Sequence, residues 1–248
     1  MTSQELAKQI RISSLKMCNK AKASHIGGCL SCADILAVLY NEVLTDNDKL
    51  IISKGHCAAA VYSVLALTGK IPTEWLDGYC QDGAKLGGHV TYGVPGVEVS
   101  TGSLGHGLSI GCGMAIADKS KRVFVLLSDG ELNEGSVWEA AMFAAANGLY
   151  NLITIVDYNN LQSFCWADNI VPDVVVKWGS FRWITCELSG GDEYDTIPTV
   201  CAKAYRHPTC IIVHTIKGNG VSFMENRLEW HYKYPDDEEL KLALGELK

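Results

Sequence analysis

The stretch VFVLLSDGELNEGSVWEAAMFAAANGLYNLITIVDYNN, residues Val123–Asn160, decides the fold class of this chain. It contains two short apolar runs, Val123–Leu127 and Leu152–Asp157, that are typical of buried strands. Between them, the alanine-rich segment Ser136–Asn147 is typical of a helix. A strand, a helix and a second strand in this order predict a βαβ unit, in which the two strands run parallel.

The same alternation recurs towards the C-terminus. A strand is predicted at Ile184–Leu188, a helix at Tyr194–Arg206 and a strand at Cys210–Thr215. Repeats of this kind build a parallel sheet with helices on both faces. We therefore predict an α/β fold of three layers, with a mostly parallel sheet flanked by helices.

The first half of the chain is predicted to be mainly helical. An amphipathic stretch runs from Glu5 to about Ala21, another runs over Ser31–Asn41, and an alanine-rich helix follows His56. Ser31 and Asp34 have the placement of an N-cap signal for the second helix.

Length and composition exclude several classes of protein. The chain has 248 residues, of which 48% are apolar, and it carries a net charge of −7 without a basic block, so we expect no nucleic-acid partner. Its apolar runs are shorter than the roughly 20 residues that a spanning helix needs, and we expect no membrane association. Without an internal repeat or linker, residues 1–248 are predicted to form one domain.

The ten cysteines bear on the compartment and on metal binding. Most lie among apolar neighbours, as in a reducing compartment, and we predict a cytoplasmic protein. Cys29 and Cys32 have the spacing of a redox pair or of half a zinc site. Because no second CxxC or HxxxH completes such a site, we favour reduced thiols at the start of a helix.

Polar residues follow the two strands of the central βαβ unit. Asp129 and Gly130 come just after the first strand, and Asn159 comes just after the second. Because ligands of parallel sheets bind beyond the carboxyl ends of the strands, these oxygens should meet there and suit Mg²⁺ or Ca²⁺ beside a diphosphate. The alternative is that Asp129 caps a helix and Asn159 belongs to an ordinary turn.

Glycine-rich segments beside lysine or histidine accompany this pair. Bare backbone N–H groups with cationic or imidazole neighbours are what an anionic cofactor needs. These segments are SKGH (Ser53–His56), GGH (Gly87–His89), TGSLGHG (Thr101–Gly107) and KG (Lys217–Gly218).

Together these motifs resemble the thiamine-diphosphate-binding part of transketolases, and the resemblance covers nearly the whole chain. Further segments carry it: KASHIGG (Lys22–Gly28), PGVEV before the TGSLGHG loop, SDGELNEGSVWEAAMFA (Ser128–Ala144), and IKGNGVSFMEN with WH (Ile216–His231).

The resemblance implies how the divalent ion and the cofactor would be bound. Asp129, Asn159 and the backbone carbonyl of Leu161 would hold Mg²⁺ or Ca²⁺. Gly130 and Asn159 would also touch the diphosphate of thiamine diphosphate.

Further cofactor contacts are implied outside this strand edge. His56 and Lys217 would bind phosphate oxygens. The backbone of Gly102, Ser103 and Leu104 would meet the aminopyrimidine ring, where Gly102 permits close approach.

The resemblance also implies a group of histidines around the reacting carbon. His25, His89 and His231 would surround it, with His231 also near the diphosphate. Imidazoles suit a reaction that moves protons on and off sugar hydroxyls near neutral pH. For His207 and His214 we expect a structural role.

The implied reaction is transketolase chemistry, the transfer of a two-carbon ketol unit from a ketose phosphate to an aldose phosphate. Transketolases also need a pyrimidine-binding domain and a C-terminal domain, which we expect on a separate chain. The resemblance thus implies a partner subunit carrying the pyrimidine-binding domain, in a heterotetramer built as a dimer of heterodimers.

The chain departs from the family pattern at a few places. Ser128 replaces a glycine, His106 stands where many relatives have glutamine, and Asn41–Leu50 is a short form of a loop near the substrate entrance. Glu134 and Glu139 resemble acidic residues between paired active sites, or else form a charged helix face.

Three other functions are weighed against a catalytic transketolase subunit. One is a non-catalytic subunit of such a complex. Another is a related thiamine-diphosphate enzyme that acts on non-phosphorylated or nucleotide-linked sugars. A nucleotide-dependent oxidoreductase is disfavoured, because the glycines of the Thr101–Gly107 loop are spaced GxxGxG rather than GxGxxG.

Overall fold

A computed structural model describes residues 1–203 and 206–248. The strands are β1 Lys49–Ile52, β2 Val123–Ser128, β3 Leu152–Tyr158, β4 Ile184–Leu188 and β5 Thr209–His214. The α-helices are α1 Ser3–Ala21, α2 Ile26–Ser31, α3 Ala33–Val38, α4 Ala58–Leu67, α5 Gly107–Ala117, α6 Gly135–Ala146, α7 Val174–Ser180, α8 Glu193–Cys201 and α9 Asp237–Glu246.

The chain is organised as two compact units. The first unit comprises Met1–Glu42, His56–Ser100 and Thr215–Lys248. The second unit comprises Val43–Gly55 and Thr101–His214, and it contains all five of the described strands.

The strands of the second unit form one sheet in the order β1-β2-β3-β5-β4, with every neighbouring pair parallel. Every residue of β2 and β3 is buried, as their apolar sequences predict. In the register of this pair, Val123 lies opposite Leu152 and Ser128 lies opposite Asp157. The predicted α/β class with a parallel sheet and flanking helices is confirmed.

Most predicted elements of the second unit are present, with small shifts at their ends. Helix α6 begins one residue before the predicted Ser136 and ends one residue before Asn147. Helix α8 ends at Cys201, whereas the prediction runs to Arg206. Of that predicted extension, Ala204 and Tyr205 lie outside the described residues.

Helix α5 is not predicted from the sequence, because glycine disfavours helices and this segment contains three glycines. Tertiary packing explains why a helix forms nevertheless. A Cβ atom at Gly111 would lie 2.6 Å from Cγ2 of Val125, so the missing side chain lets α5 approach β2 closely. At Gly113, on the same helix, an added Cβ would meet nothing within 4 Å.

We therefore expect opposite effects from the same substitution at two positions of α5. Gly111→Ala should destabilise the protein by about 1–3 kcal/mol, because the added methyl group overpacks the contact with β2. Gly113→Ala should stabilise it by about 0.4–1 kcal/mol, because it improves helix propensity in open space. Urea unfolding of both variants measures the difference, and equal effects would contradict the close approach of α5 and β2.

The first unit is built from helices around a core contributed by α1 and α4. Helix α1 begins with a capping box formed by Thr2 and Glu5. Nine residues of α4 are buried, which agrees with its alanine-rich apolar sequence. Arg11 of α1 forms a buried ion pair with Asp34 of α3, and Asn219 also donates to that carboxylate at 3.2 Å.

The helix predicted at Ser31–Asn41 is wrong in its start and its length. Helix α2 ends at Ser31, α3 begins at Ala33, and a π-helical turn follows at Leu39–Val43. The two residues of the predicted N-cap signal make other interactions. Ser31 Oγ donates to the Gly28 carbonyl at 3.1 Å, and the Asp34 carboxylate pairs with Arg11. A local hydrogen bond within α2 for Ser31 and a buried tertiary partner for Asp34 outweigh the capping pattern at this position.

Cys29 and Cys32 lie in and directly after α2, and the ten cysteines, all within the described residues, form no disulfide. No helix in residues 1–203 and 206–248 is long and apolar enough to cross a membrane.

Candidate active site

Four histidine rings of the first unit form a cluster. The ring centroids of His56, His89 and His231 lie 5.4, 5.9 and 5.1 Å from that of His25, respectively. The centroids of His56 and His231 are 6.1 Å apart. Residues that are far apart in sequence are therefore brought together, and each predicted histidine of this group is a member.

The backbone around His25 fixes the centre of the cluster. His25 precedes α2 with φ of 72°, a left-handed conformation that is uncommon for a residue with a side chain. Its N–H donates to the His231 carbonyl at 3.1 Å. The Gly218 N–H donates to the Gly27 carbonyl at 3.0 Å, which joins the same two segments again.

Lys217 is buried beside this cluster. Its Nζ atom lies 3.0 Å from Nδ1 of His231, and the residue is 3% exposed. A Cβ atom at Gly27 would lie 3.1 Å from Cγ of Lys217 and 3.1 Å from the Trp230 carbonyl oxygen. The absence of a side chain at Gly27 therefore leaves room for the lysine stem. The predicted phosphate-binding pair, His56 and Lys217, thus belongs to the neighbourhood of His231.

His89 is placed by a tyrosine of α4. The Tyr62 hydroxyl donates to the His89 carbonyl at 2.9 Å and accepts from the Thr91 N–H at 3.2 Å. Burial raises the pKa of Tyr62 above its usual value, although the hydrogen bonds with Thr91 oppose that shift. The hydroxyl therefore stays protonated near neutral pH and holds the backbone of an otherwise exposed histidine.

The second unit carries the predicted oxygen ligands at the carboxyl ends of β2 and β3. Asp129 follows β2, and its N–H donates to the Asp157 carbonyl at 3.3 Å, so the two strand ends remain adjacent. Asn159 follows β3, and its Oδ1 accepts from the Leu161 N–H at 3.1 Å. Asp129, Asn159 and Leu161 are 3%, 7% and 6% exposed.

The local backbone shapes this edge further. The Gly130 N–H donates to Oδ1 of Asp129 at 2.7 Å, which orients the carboxylate. A Cβ atom at Gly130 would lie 3.0 Å from Cβ of Gln162, so the glycine allows the two segments to approach. A carboxylate, an amide oxygen and a carbonyl form an all-oxygen donor set, which fits Mg²⁺ or Ca²⁺. Groups of three or more His, Cys, Asp or Glu arranged for a metal are absent from the described residues.

The loop that contains Gly102, Ser103 and Leu104 is held at both ends. Thr101 Oγ1 donates to the Ile52 carbonyl at 2.6 Å. At the other end, the Gly107 N–H donates to Ser53 Oγ at 3.1 Å. A Cβ atom at Gly55 would lie 2.6 Å from the Thr101 carbonyl oxygen, so the SKGH and TGSLGHG motifs touch through a glycine.

The remaining singled-out residues have other surroundings. His214 lies at the surface, with Nε2 2.7 Å from Oε1 of Glu187. Glu134 precedes α6 and Glu139 lies within it, next to a groove of about 400 Å³ between α5 and α6.

Comparison with known proteins decides the family. A family model described as the thiamine diphosphate binding domain of transketolase matches residues 2–245. The chain belongs to the transketolase family.

Curated relatives of this transketolase domain include separate subunits. An apulose-4-phosphate transketolase subunit of Phocaeicola vulgatus is 40% identical over 245 residues, covering 92% of this chain and 87% of the relative. A 6-deoxy-6-sulfo-D-fructose transketolase subunit, SqwG, of a Clostridium species is 35% identical over 263 residues, covering 99% of this chain and 96% of the relative.

Solved transketolase structures share the fold. The transketolase of Leishmania mexicana superposes with a TM-score of 0.92 at 26% identity, over 100% of this chain. The chain spans 41% of the length of that structure and 42% of the Campylobacter jejuni transketolase, which superposes with a TM-score of 0.90.

Two features of this transketolase domain are not predicted from the sequence. Lys54 forms an ion pair with Asp157, and their side chains are 1% and 0% exposed. Glu131 is fully buried and binds the loop after Thr101. Lys54 lies in the SKGH motif and Glu131 directly follows Asp129-Gly130, but nothing local in the sequence indicates such distant partners.

Proposed function

We propose that the chain is the N-terminal subunit of a transketolase that transfers a two-carbon ketol unit from a ketose to an aldose with thiamine diphosphate and Mg²⁺. The observation that carries the proposal is the cluster of His25, His56, His89 and His231 in a domain whose family model is described by thiamine diphosphate binding.

In this proposal the cofactor residues divide by chemistry. Asp129, Asn159 and the Leu161 carbonyl hold Mg²⁺ as oxygen ligands, and Gly130 and Asn159 contact the diphosphate. The buried position of Asp129 and Asn159 supports this role, because metal ligands in a low-dielectric site interact strongly with the ion.

The remaining cofactor contacts come from basic side chains and from a loop. His56 and Lys217 bind phosphate oxygens. The Nζ atom of Lys217 lies 3.0 Å from the ring of His231, and a lysine ammonium group is a suitable donor to phosphate. The backbone of Gly102, Ser103 and Leu104 meets the aminopyrimidine ring. When bound, thiamine diphosphate supplies the thiazolium carbon that stabilises the transferred two-carbon carbanion.

The protein's own contribution to catalysis is proton transfer. His25, His89 and His231 accept and return protons of the sugar hydroxyls, a task for which imidazole is suited near neutral pH. His231 also lies beside the diphosphate in this proposal, which its contact with Lys217 supports.

The substrate we propose is a ketose with a terminal anionic group. The names of the relatives give apulose 4-phosphate and 6-deoxy-6-sulfo-D-fructose, which carry a phosphate and a sulfonate. The aldose acceptor would be a sugar phosphate.

We further propose that activity requires a partner subunit with the pyrimidine-binding domain, in a dimer of heterodimers. The relatives whose names describe them as transketolase subunits support this division. Residues 1–248 would then act as one diphosphate-binding domain, in the cytoplasm, where the ten thiols stay reduced.

The proposal is tested by ketol transfer in a mixture of this chain and the product of the adjacent gene. Apulose 4-phosphate, 6-deoxy-6-sulfofructose and xylulose 5-phosphate are compared as donors with ribose 5-phosphate as the acceptor. Activity in the mixture that depends on thiamine diphosphate and Mg²⁺ is the expected result. A mixture that binds cofactor without turnover would instead favour a non-catalytic subunit or a different sugar.

His25→Ala in the active mixture should lower kcat by about 100-fold or more, because general acid–base groups contribute about 10²–10⁴-fold. Thiamine diphosphate affinity should stay nearly unchanged, since His25 is assigned to proton transfer. His214→Ala is the matched control, because that ring contacts Glu187 at the surface, and it should leave both quantities unchanged. A loss of affinity without a loss of kcat would contradict the role of His25.

A further inference from the structure

Glu131 is a buried carboxylate that the proposed mechanism does not use. It lies in the 3₁₀ turn Gly130–Asn133, directly after the predicted metal ligand Asp129, and it is 0% exposed. An ionised group at such a position is costly unless hydrogen-bond donors surround it.

Oxygen Oε1 of Glu131 binds the segment that ends the TGSLGHG loop. The Gly105 N–H donates to Oε1 at 2.7 Å, and the Ser53 hydroxyl donates to the same oxygen. Ser53 Oγ in turn accepts from the Gly107 N–H at 3.1 Å. Glu131 therefore binds the Gly105 amide, which directly follows Leu104, and it reaches the Gly107 amide through the Ser53 hydroxyl.

Oxygen Oε2 of Glu131 reaches the end of β2. The Ser128 N–H donates to it over a long distance of 3.4 Å. One carboxylate thus connects the loop, the residue after β1 and the strand end that carries Asp129. Burial raises the pKa of Glu131, and the hydrogen bonds from Ser53, Gly105 and Ser128 oppose that shift.

The backbone conformation of Gly105 and its close neighbours restrict the position of the loop at this residue. Gly105 has φ of 85°, which is favourable only for glycine, and a Cβ atom there would lie 2.7 Å from Cβ of Glu134. Ser136 Oγ donates to the Gly105 carbonyl at 3.0 Å from the opposite side. The backbone N–H and the carbonyl of Gly105 are therefore both hydrogen-bonded.

We propose that Glu131 is a positioning residue that sets the Gly102–Leu104 segment relative to the Asp129 strand end, and so sets the affinity for the pyrimidine ring of the cofactor. This inference rests on the proposed function, because it concerns the same cofactor. It adds a residue that contacts neither the ring nor the metal and acts through Gly105 and Ser53.

The test separates ring contacts from metal and diphosphate contacts. Thiamine diphosphate and inorganic pyrophosphate, each with Mg²⁺, are titrated calorimetrically into the chain co-purified with its partner subunit. Glu131→Gln should weaken thiamine diphosphate binding by about 10–100-fold, the range found for outer-shell partners of metal ligands. The neutral amide accepts more weakly from the Gly105 N–H and the Ser53 hydroxyl, and it places an NH₂ group opposite the Ser128 N–H. Pyrophosphate binding should change far less, because it uses only the metal and diphosphate residues.

Two further variants keep the test interpretable. Ser53→Ala removes the link to Gly107 while Glu131 stays, and it should weaken thiamine diphosphate binding in the same direction by a smaller factor. Glu193→Gln is the matched control, because Glu193 is also buried in this unit and accepts from the Gly191 N–H at 2.7 Å, but it begins α8. Unfolding midpoints of all three variants show that each is folded.

The outcomes distinguish the inference from the proposed function. Wild-type protein that binds neither ligand would overturn the proposed function. Wild-type binding of both ligands, with Glu131→Gln equal to wild type or with both ligands weakened to the same extent, would overturn the role of Glu131 alone. A similar loss in Glu193→Gln would also overturn it, since the effect would then be one of general stability.

Discussion

Lys54→Met should lower the free energy of unfolding by about 3–5 kcal/mol, because it leaves the Asp157 carboxylate buried without its cation. Both side chains of this ion pair are at most 1% exposed, and Asp157 lies in the central strand β3. The Asp157 side chain is 0% exposed, so water cannot replace the lost ammonium group. Urea unfolding with fitted slopes measures the change.

Two controls define the origin of that loss. In the double variant Lys54→Met with Asp157→Leu, most of the stability should return, because an apolar pair replaces both charges. Lys20→Met breaks the ion pair of Lys20 with Asp77, whose side chains are 57% and 79% exposed, and should leave the free energy of unfolding nearly unchanged. If Lys54→Met costs as little as Lys20→Met, the burial of the Lys54–Asp157 pair is contradicted.

Asp129→Ala should reduce Mg²⁺-dependent binding of thiamine diphosphate by about 100-fold or more, since it removes the one carboxylate of the proposed ligand set. The remaining ligands, the Asn159 amide and the Leu161 carbonyl, are neutral and attract a divalent ion weakly. Calorimetric titration at several Mg²⁺ concentrations measures the effect.

The dependence of thiamine diphosphate affinity on Mg²⁺ concentration distinguishes the loss of a metal ligand from general unfolding of the protein. Asp118→Ala serves as the control, because Asp118 precedes β2 and pairs with Lys121 at the other end of that strand. It should keep wild-type affinity and wild-type dependence on Mg²⁺. Asp129→Ala with unchanged affinity would remove Asp129 from the metal site.

Local sequence patterns are sufficient for the two central strands. Strands β2 and β3 are predicted from short, largely apolar runs, and their adjacency follows from the intervening helix. Strand β1 escapes prediction because it has only four residues, and α5 because its glycines lower helix propensity until packing on β2 compensates.

Side-chain interactions between residues that are distant in the sequence cannot be predicted from local sequence patterns. Asp34 has the placement of a capping residue, but its carboxylate forms a buried ion pair with Arg11. Glu131 and Lys54 likewise find their partners 26 and 103 residues away, at Gly105 and Asp157. The histidine cluster can be predicted only from the family resemblance, because its members are spread along the sequence from His25 to His231.

The strand order has a consequence for how the chain is made. Strand β5 lies between β3 and β4, and in the described sheet β4 pairs only with β5. During synthesis β4 therefore leaves the ribosome before the strand it pairs with exists, and β3 keeps one open edge over the same interval. Unpaired edges of nascent chains are prone to pairing with other chains. Residues 209–214 cover the open edge of β3 and give β4 its partner, so we expect aggregation of the nascent chain to decrease once they can pair.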